Sequence, residues 1–228
     1  EIEAVTGVQT CALPIFDKQI NVPYVYESLA SGIHDESHHE NVWYQKEYLI
    51  DSQYDKKRVI LNFQGADYIT KLWINGTYVG LHKGSSNKFK LDITRYVLFG
   101  QLNNIVIKCE DSKSTCQPRG KQRWHDENYG CWYVQSTGIW KTIWMEYLNE
   151  INIENVKITP NIDDASALFE YTLSNHDYSK DLRVVTEISY KGTIISEVSI
   201  KPDRKYFKSI VDVTNDILND GVDRKSVV

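Results

Sequence analysis

The sequence predicts an all-β chain made of two sandwiches, and three observations carry that expectation. Short runs rich in β-branched and aromatic residues recur along the chain, separated by Gly, Asn, Asp and Pro. No amphipathic helix of convincing length interrupts them. All six tryptophans, Trp43, Trp73, Trp124, Trp132, Trp140 and Trp144, precede residue 150, whereas the tail is rich in Ile and Val with sparse aromatics. That shift in composition marks an aromatic-rich sandwich followed by a smaller Ig-like one.

Taken in order, the first strands are "VWYQKEYLI" from Val42, "KRVILNF" from Lys57, "YITKLWI" from Tyr68 and "TYVGLHK" from Thr77. Asn75-Gly76 between the last two is the pair that a two-residue type I′ hairpin requires, since both central residues take positive φ. Asn75-Gly76-Thr77 is also a glycosylation sequon, but the turn accounts for it. "NNIVIKCE" from Asn103 and "GIWKTIWMEYL" from Gly138 follow, the latter read as one strand with Trp140 and Trp144 in the core. After the boundary come "ALFEYTLS" from Ala167, "LRVVTEISY" from Leu182 and "TIISEVSIK" from Thr193. The second domain, 150–222, is short of the roughly 100 residues of a full Ig-type sandwich and is expected to lack its last strands.

Composition narrows the function classes. The chain has 228 residues, 41% hydrophobic and 25% charged, with a net charge of −5 and both signs dispersed, so no basic stripe points to nucleic acid. No apolar run is long enough to span a bilayer as a helix. Cys11, Cys109, Cys116 and Cys131 have neither zinc-ligand spacing nor the density of a secreted disulfide scaffold, and are read as reduced thiols in a cytoplasmic protein. Both ends look foreign: "VTGVQTCALPI" (Val5 to Ile15) and "DRKSVV" (Asp223 to Val228) look like translated sequencing-library adaptors. The expected division is therefore 1–15 and 223–228 as artefact, 16–149 as the first domain and 150–222 as the second.

"NVPYVYES", "NVWYQKEY", "VILNFQGADYITKLWINGTYVGLHKGSSNKFKLDIT", "NNIVIKCED", "QPRGKQRW" and "STGIWKTIWMEY" resemble, in order and spacing, the sugar-binding domain of glycoside hydrolase family 2. This is the family of β-galactosidases, β-glucuronidases and β-mannosidases. The resemblance runs from about residue 21 to 148, and 150–222 resembles the opening of the Ig-like domain that follows in that family. It implies a jelly-roll-like galactose-binding sandwich and an incomplete Ig-like one. It also implies, as partner, a (β/α)₈ barrel with two catalytic glutamates, through which a carbohydrate substrate would be bound, and no cofactor. Retaining hydrolysis needs two carboxylates about 5 to 5.5 Å apart, and a barrel takes roughly 250 residues. Nothing after residue 150 alternates strand with helix, so this chain is expected to be inactive by itself, with no catalytic residue of its own. The parent is expected to cleave terminal β-linked hexosides, β-galactosides first and β-glucuronides second. The competing class is a stand-alone carbohydrate-binding or scaffold protein that has no barrel.

Two stretches have sugar-binding chemistry. "PRGKQRWHDENYGCWY" brings Arg119, Trp124, Asp126, Glu127, Trp132 and Tyr133 together; aromatic rings cover the C–H faces of sugars while charged and amide groups fork to hydroxyl pairs. Docking against the barrel, contact with substrate and a plain surface loop are all open readings for it. In family members an aspartate just before the equivalent of Gly138-Ile139 reaches the substrate; the nearest acid here, Asp126, comes several residues earlier. "GIHDESHHEN" packs His34, Asp35, Glu36, His38, His39 and Glu40 into seven positions. Without HExxH spacing it reads as a solvated loop; as the resemblance implies, since the matching loop of the family approaches the barrel mouth, a rim of the sugar site through His34 and Asp35; or, last, a metal site.

Overall fold

A computed structural model describes residues 2–6, 16–114, 116–175 and 181–213. Its strands are β1 (Ile2–Thr6), β2 (Lys18–Ile20), β3 (Asn41–Ile50), β4 (Arg58–Phe63), β5 (Ala66–Asp67), β6 (Ile69–Ile74), β7 (Thr77–Lys83), β8 (Phe89–Asp92) and β9 (Gln101–Glu110). Then come β10 (Gly138–Ile139), β11 (Ile143–Leu148), β12 (Ile153–Asn161), β13 (Ser166–Leu173), β14 (Val184–Tyr190), β15 (Thr193–Ile200) and β16 (Tyr206–Asp212). The chain divides into two compact units, 1–148 and 149–228.

In the first unit a six-stranded antiparallel sheet, ordered β2-β1-β3-β9-β6-β7, is accompanied by the sheets β11-β4-β8 and β10-β5. Alternation explains the packing. Val42 and Tyr44 of β3, Ile105, Ile107 and Cys109 of β9, and Leu72 and Ile74 of β6 point inward to meet Val59, Leu61 and Phe63 of β4. Each such aliphatic side chain contributes on the order of 1.5–3 kcal/mol by leaving water. Phe63 and Phe89 stack across the β4–β8 pair with ring centroids 4.4 Å apart. The Asn75-Gly76 turn has φ of 50° and 78° and joins the paired Ile74 and Thr77, as its sequence predicts.

"GIWKTIWMEYL" is not one strand. Gly138–Ile139 pair with Asp67 and Ala66, then Ile143–Leu148 pair with β4 in a different sheet. Residues 140–142 carry the chain across, held by Lys141 N–H to the Gly65 carbonyl and by Gln64 N–H to the Thr142 carbonyl. The crossing reverses the expectation for Trp144. Ile143, Met145 and Tyr147 take the core side of β11, so Trp144 faces outward, 36% exposed, and donates to Glu146 Oε1 at 3.0 Å. Trp140 is half-buried, its indole N–H bonded to the Ser85 carbonyl at 2.9 Å.

The second unit pairs β12-β13-β16 in one sheet and β14-β15 in another. Phe169, Tyr171 and Leu173 of β13, Val184 and Ile188 of β14, and Phe207 and Val211 of β16 form its core. β14 and β15 join through Lys191-Gly192, both at positive φ, a hairpin turn of the same kind as Asn75-Gly76. β12 and β16 are absent from the strands expected from sequence. β12 is exposed along its whole length, so it lacks the alternating burial that the sandwich strands show.

Of the segment read as adaptor-derived at the start, Ile2–Thr6 form β1, hydrogen-bonded to β2 and β3; residues 7–15 and 223–228 lie outside the described residues. Cys109, Cys116 and Cys131 are free thiols, and Cys11 also lies outside.

Candidate functional site

The register Asn41↔Glu110↔Ile69 brings the start of β3, the end of β9 and the start of β6 to one end of the first unit. Two long connections emerge there: residues 21–40, leading into β3, and 111–137, leading from β9 to β10.

The first connection is pinned by Tyr26, which is fully buried. Its hydroxyl donates to the Ser37 carbonyl and accepts the His39 N–H, each at 3.0 Å. Asp35 ties the turn together, accepting from the Ser37 backbone N–H and hydroxyl and meeting His39 Nε2 at 2.9 Å. Burial works to raise the Asp35 pKa, but these bonds outweigh it and hold the carboxyl at about 2. His34 is exposed, at positive φ, 3.9 Å from Glu36.

The second connection folds back on itself. Arg123 N–H donates to the Tyr133 carbonyl at 2.6 Å and Tyr133 N–H to the Lys121 carbonyl at 3.0 Å. Tyr129 and Trp132 exchange backbone bonds around Gly130, whose φ is +54°. The tip carries an aromatic cluster: Trp124 packs edge-on against Trp132 at 4.8 Å and Tyr129 at 5.7 Å, with His125 against Tyr129 at 5.1 Å. Trp124 and Tyr129 are partly exposed, and Tyr133 is half exposed.

Arg123 joins the two connections. Its buried guanidinium donates to the Glu36 carbonyl at 2.9 Å and to Asn128 Oδ1 at 3.0 Å, and Gln135 Nε2 reaches the Glu36 and Ser37 carbonyls. Between them opens a cleft of about 500 Å³, lined by Glu36, His38, Lys113, Arg123, Glu127 and Gln135 among others. Asp126 is at its edge, paired with Lys113 at 2.8 Å. Burial lowers the His38 pKa, favouring the neutral imidazole.

Beneath the cleft lies a buried polar lattice. Asp111 pairs with Arg119 at 2.8 Å and accepts the Thr137 hydroxyl at 2.9 Å, while Thr137 N–H donates to Glu27 Oε1 at 3.1 Å. Burial pushes the Glu27 carboxyl up to about 8, against the lowering bonds from backbone and Thr137. Burial likewise raises Asp67 to about 6, although the Gln122 amide bonds it at 2.9 Å.

Of the residues singled out from sequence, the structure brings Asp126 and Glu127 to the cleft and gathers Trp124 and Trp132 beside them on the same fold-back. Arg119 belongs to the lattice below, as a buried ion-pair partner. Asp35 shapes the first connection rather than lining the cleft. Sequence reading missed Arg123 and Gln135, the bridges between connections, and the buried Glu27, Asp111 and Thr137. The signal for Arg123, Glu27, Asp111 and Thr137 was their place inside the stretches "QPRGKQRW", "NVPYVYES", "NNIVIKCED" and "STGIWKTIWMEY". Among the described residues no three His, Cys, Asp or Glu side chains gather as a metal would need. The groups present are donors, acceptors and rings, the chemistry of binding a polyhydroxylated ligand.

The family model described as "Glycosyl hydrolases family 2, sugar binding domain" matches residues 8–145, and the chain belongs to that family. It is 27% identical over 173 residues to a β-galactosidase of Thermoanaerobacter pseudethanolicus, covering 74% of this chain and 22% of that one. A β-glucuronidase of Formosa agariphila is 23% identical over 167 residues, covering 72% and 16%. A family 2 glycosyl hydrolase structure from Bacteroides cellulosilyticus shares the fold with a TM-score of 0.63 at 18% identity, covering 92% of this chain and 29% of that one. The chain thus spans about a fifth of the length of the curated relatives it matches.

Proposed function

We propose that this chain is the non-catalytic N-terminal portion of a family 2 glycosidase whose whole form hydrolyses terminal β-linked hexosides, β-galactosides in preference to β-glucuronides. The reading rests on the convergence of two connections, far apart in sequence, on one cleft that Arg123 bridges. The small share of each relative that the chain spans adds support. The aromatic tip Trp124–Tyr129–Trp132 then packs against the catalytic barrel, and the cleft contributes donors and acceptors to the rim of the sugar site. The acid/base pair comes from the barrel.

The test is the gene extended through the length of its relatives, assayed on nitrophenyl β-D-galactoside and β-D-glucuronide beside the 228-residue chain. Turnover by the extended protein alone, favouring galactoside, is the expected result. Arg123→Ala should lower its kcat/KM at least tenfold while the protein stays folded. Turnover by the 228-residue chain would overturn the proposal, and an extended gene without a barrel would overturn it in favour of a stand-alone binding protein.

A further inference from the structure

The outer face of the six-stranded sheet has no part in the cleft chemistry, yet it is built in an unusual way. Because Val42, Tyr44, Leu72, Ile107 and Cys109 point inward, their neighbours Trp43, Trp73, Val106 and Lys108 point out. Trp43 and Trp73 have ring centroids 5.4 Å apart and only 30° between planes, and Tyr78 of β7 continues the row 5.5 Å from Trp73. Both tryptophans are half-buried, while Tyr78 and Leu81 stand about half exposed. β3, β9, β6 and β7 together span about 14 Å at ~4.8 Å per strand step.

Polar groups run through this aromatic row rather than around it. Glu110 accepts Lys71 and Lys108, each at 2.6 Å, and the Lys108 ammonium lies 5.3 Å from the Trp43 ring centroid. Gln45 donates to Asn104 Oδ1 at 3.0 Å across the β3–β9 pair. A protein interface of this kind concentrates apolar side chains at its centre and is depleted there in Lys and Glu. Here the charged triad and the amide pair interrupt the rings. That mixture suits a ligand that alternates flat apolar C–H faces with hydroxyls.

We propose that this sheet face, through Trp43, Trp73 and Tyr78, binds an extended chain of β-linked neutral hexoses. The rings would stack on the C–H faces, and Gln45, Asn104, Lys71 and Glu110 would meet the hydroxyls. The reading goes beyond the glycosidase proposal and stands whether or not the cleft takes part in catalysis. It makes the chain a polysaccharide-gripping module in its own right.

The experiment uses the 228-residue protein, with calorimetry and tryptophan emission against β-1,4-linked hexaoses of glucose, galactose and mannose. Retardation in gels containing soluble β-1,4-galactan is the parallel measurement. Saturable binding to at least one probe is expected. Tyr78→Ala, at an exposed site, and Trp73→Ala should each weaken it tenfold or more, whereas Ile162→Ala, an exposed apolar site in the second unit, should leave it within twofold. Tyr78→Ala keeps the test decisive should Trp73→Ala fail to fold. The proposal falls if no probe binds, if both sheet variants bind as the parent does, or if Arg123→Ala alone abolishes binding. A concentration-dependent dimer abolished by Tyr78→Ala, without glycan binding, would also overturn it and assign the face to a second copy.

Discussion

Replacing Glu27 by Gln tests the buried lattice under the cleft. The Glu27 carboxyl is 3% exposed, and burial lifts its pKa from an ordinary 4.5 to about 8. One oxygen accepts the Thr137 N–H and the other, Oε2, is buried without a hydrogen-bond partner. Below the ordinary value both folded and unfolded chains carry the proton, and the fold bears no penalty. As pH rises the unfolded chain ionises first, so stability falls until the folded carboxyl also ionises near its raised pKa. With 1.36 kcal/mol per pH unit, the loss attributable to Glu27 is roughly 3 kcal/mol at pH 7, and about 2 kcal/mol of the whole change falls between pH 6 and 8. Asp67, raised to about 6, acts in the same direction but is nearly spent above that pH. Glutamine keeps the acceptor for Thr137 and never ionises. Urea unfolding at pH 4 to 8, followed by tryptophan emission, reads the first unit alone because all six tryptophans precede residue 149. The variant's advantage should grow by roughly 2 kcal/mol from pH 6 to 8 and stay constant near pH 4. Curves that run parallel across that range would refute the burial argument.

Other substitutions separate core from surface and lattice from loop. Phe63→Ala removes a fully buried ring stacked on Phe89 and should cost about 3 to 5 kcal/mol. Trp144→Ala should cost less than Phe63→Ala by the same urea titration, since Trp144 is 36% exposed and Phe63 fully buried. Gly138→Ala should abolish cooperative unfolding of the first unit, because a Cβ there would lie 2.0 Å from Tyr44 Oη at a backbone φ of +89°. Asp111→Ala strands the buried Arg119 guanidinium and should destabilise by about 3 to 5 kcal/mol. A shift under 1 kcal/mol in that variant would show that Arg119 finds solvent or another partner.

Period-two patterns, turn chemistry and the sharp drop in tryptophan after residue 144 determined much about this protein from sequence alone. They marked most of the long strands, the Asn75-Gly76 hairpin and the family resemblance, because each is a local property of the chain. The tertiary structure decided which side of a strand with large apolar residues on both faces is the inside. In Ile143–Leu148 both sides of the strand carry large apolar residues, so only pairing with β4 turns Ile143 and Met145 inward and leaves Trp144 in water. The same holds for the break at residues 140–142: aromatic and β-branched residues continue across it, while the hydrogen bonds pass from one sheet to another. β12 escaped notice because it is exposed throughout and so carries no burial signature. The cleft, too, is a product of topology. Glu36 and Arg123 meet because the antiparallel register of β3, β9 and β6 delivers their connections to the same end of the sandwich, and no spacing along the chain encodes that meeting. The sequence offers Arg119 only as a candidate for sugar or barrel contact and passes over Glu27; closure of the sandwich over them raises the pKa of the Glu27 carboxyl and makes Arg119 half of a buried ion pair with Asp111, since a low-dielectric interior tolerates charge only where a partner neutralises it.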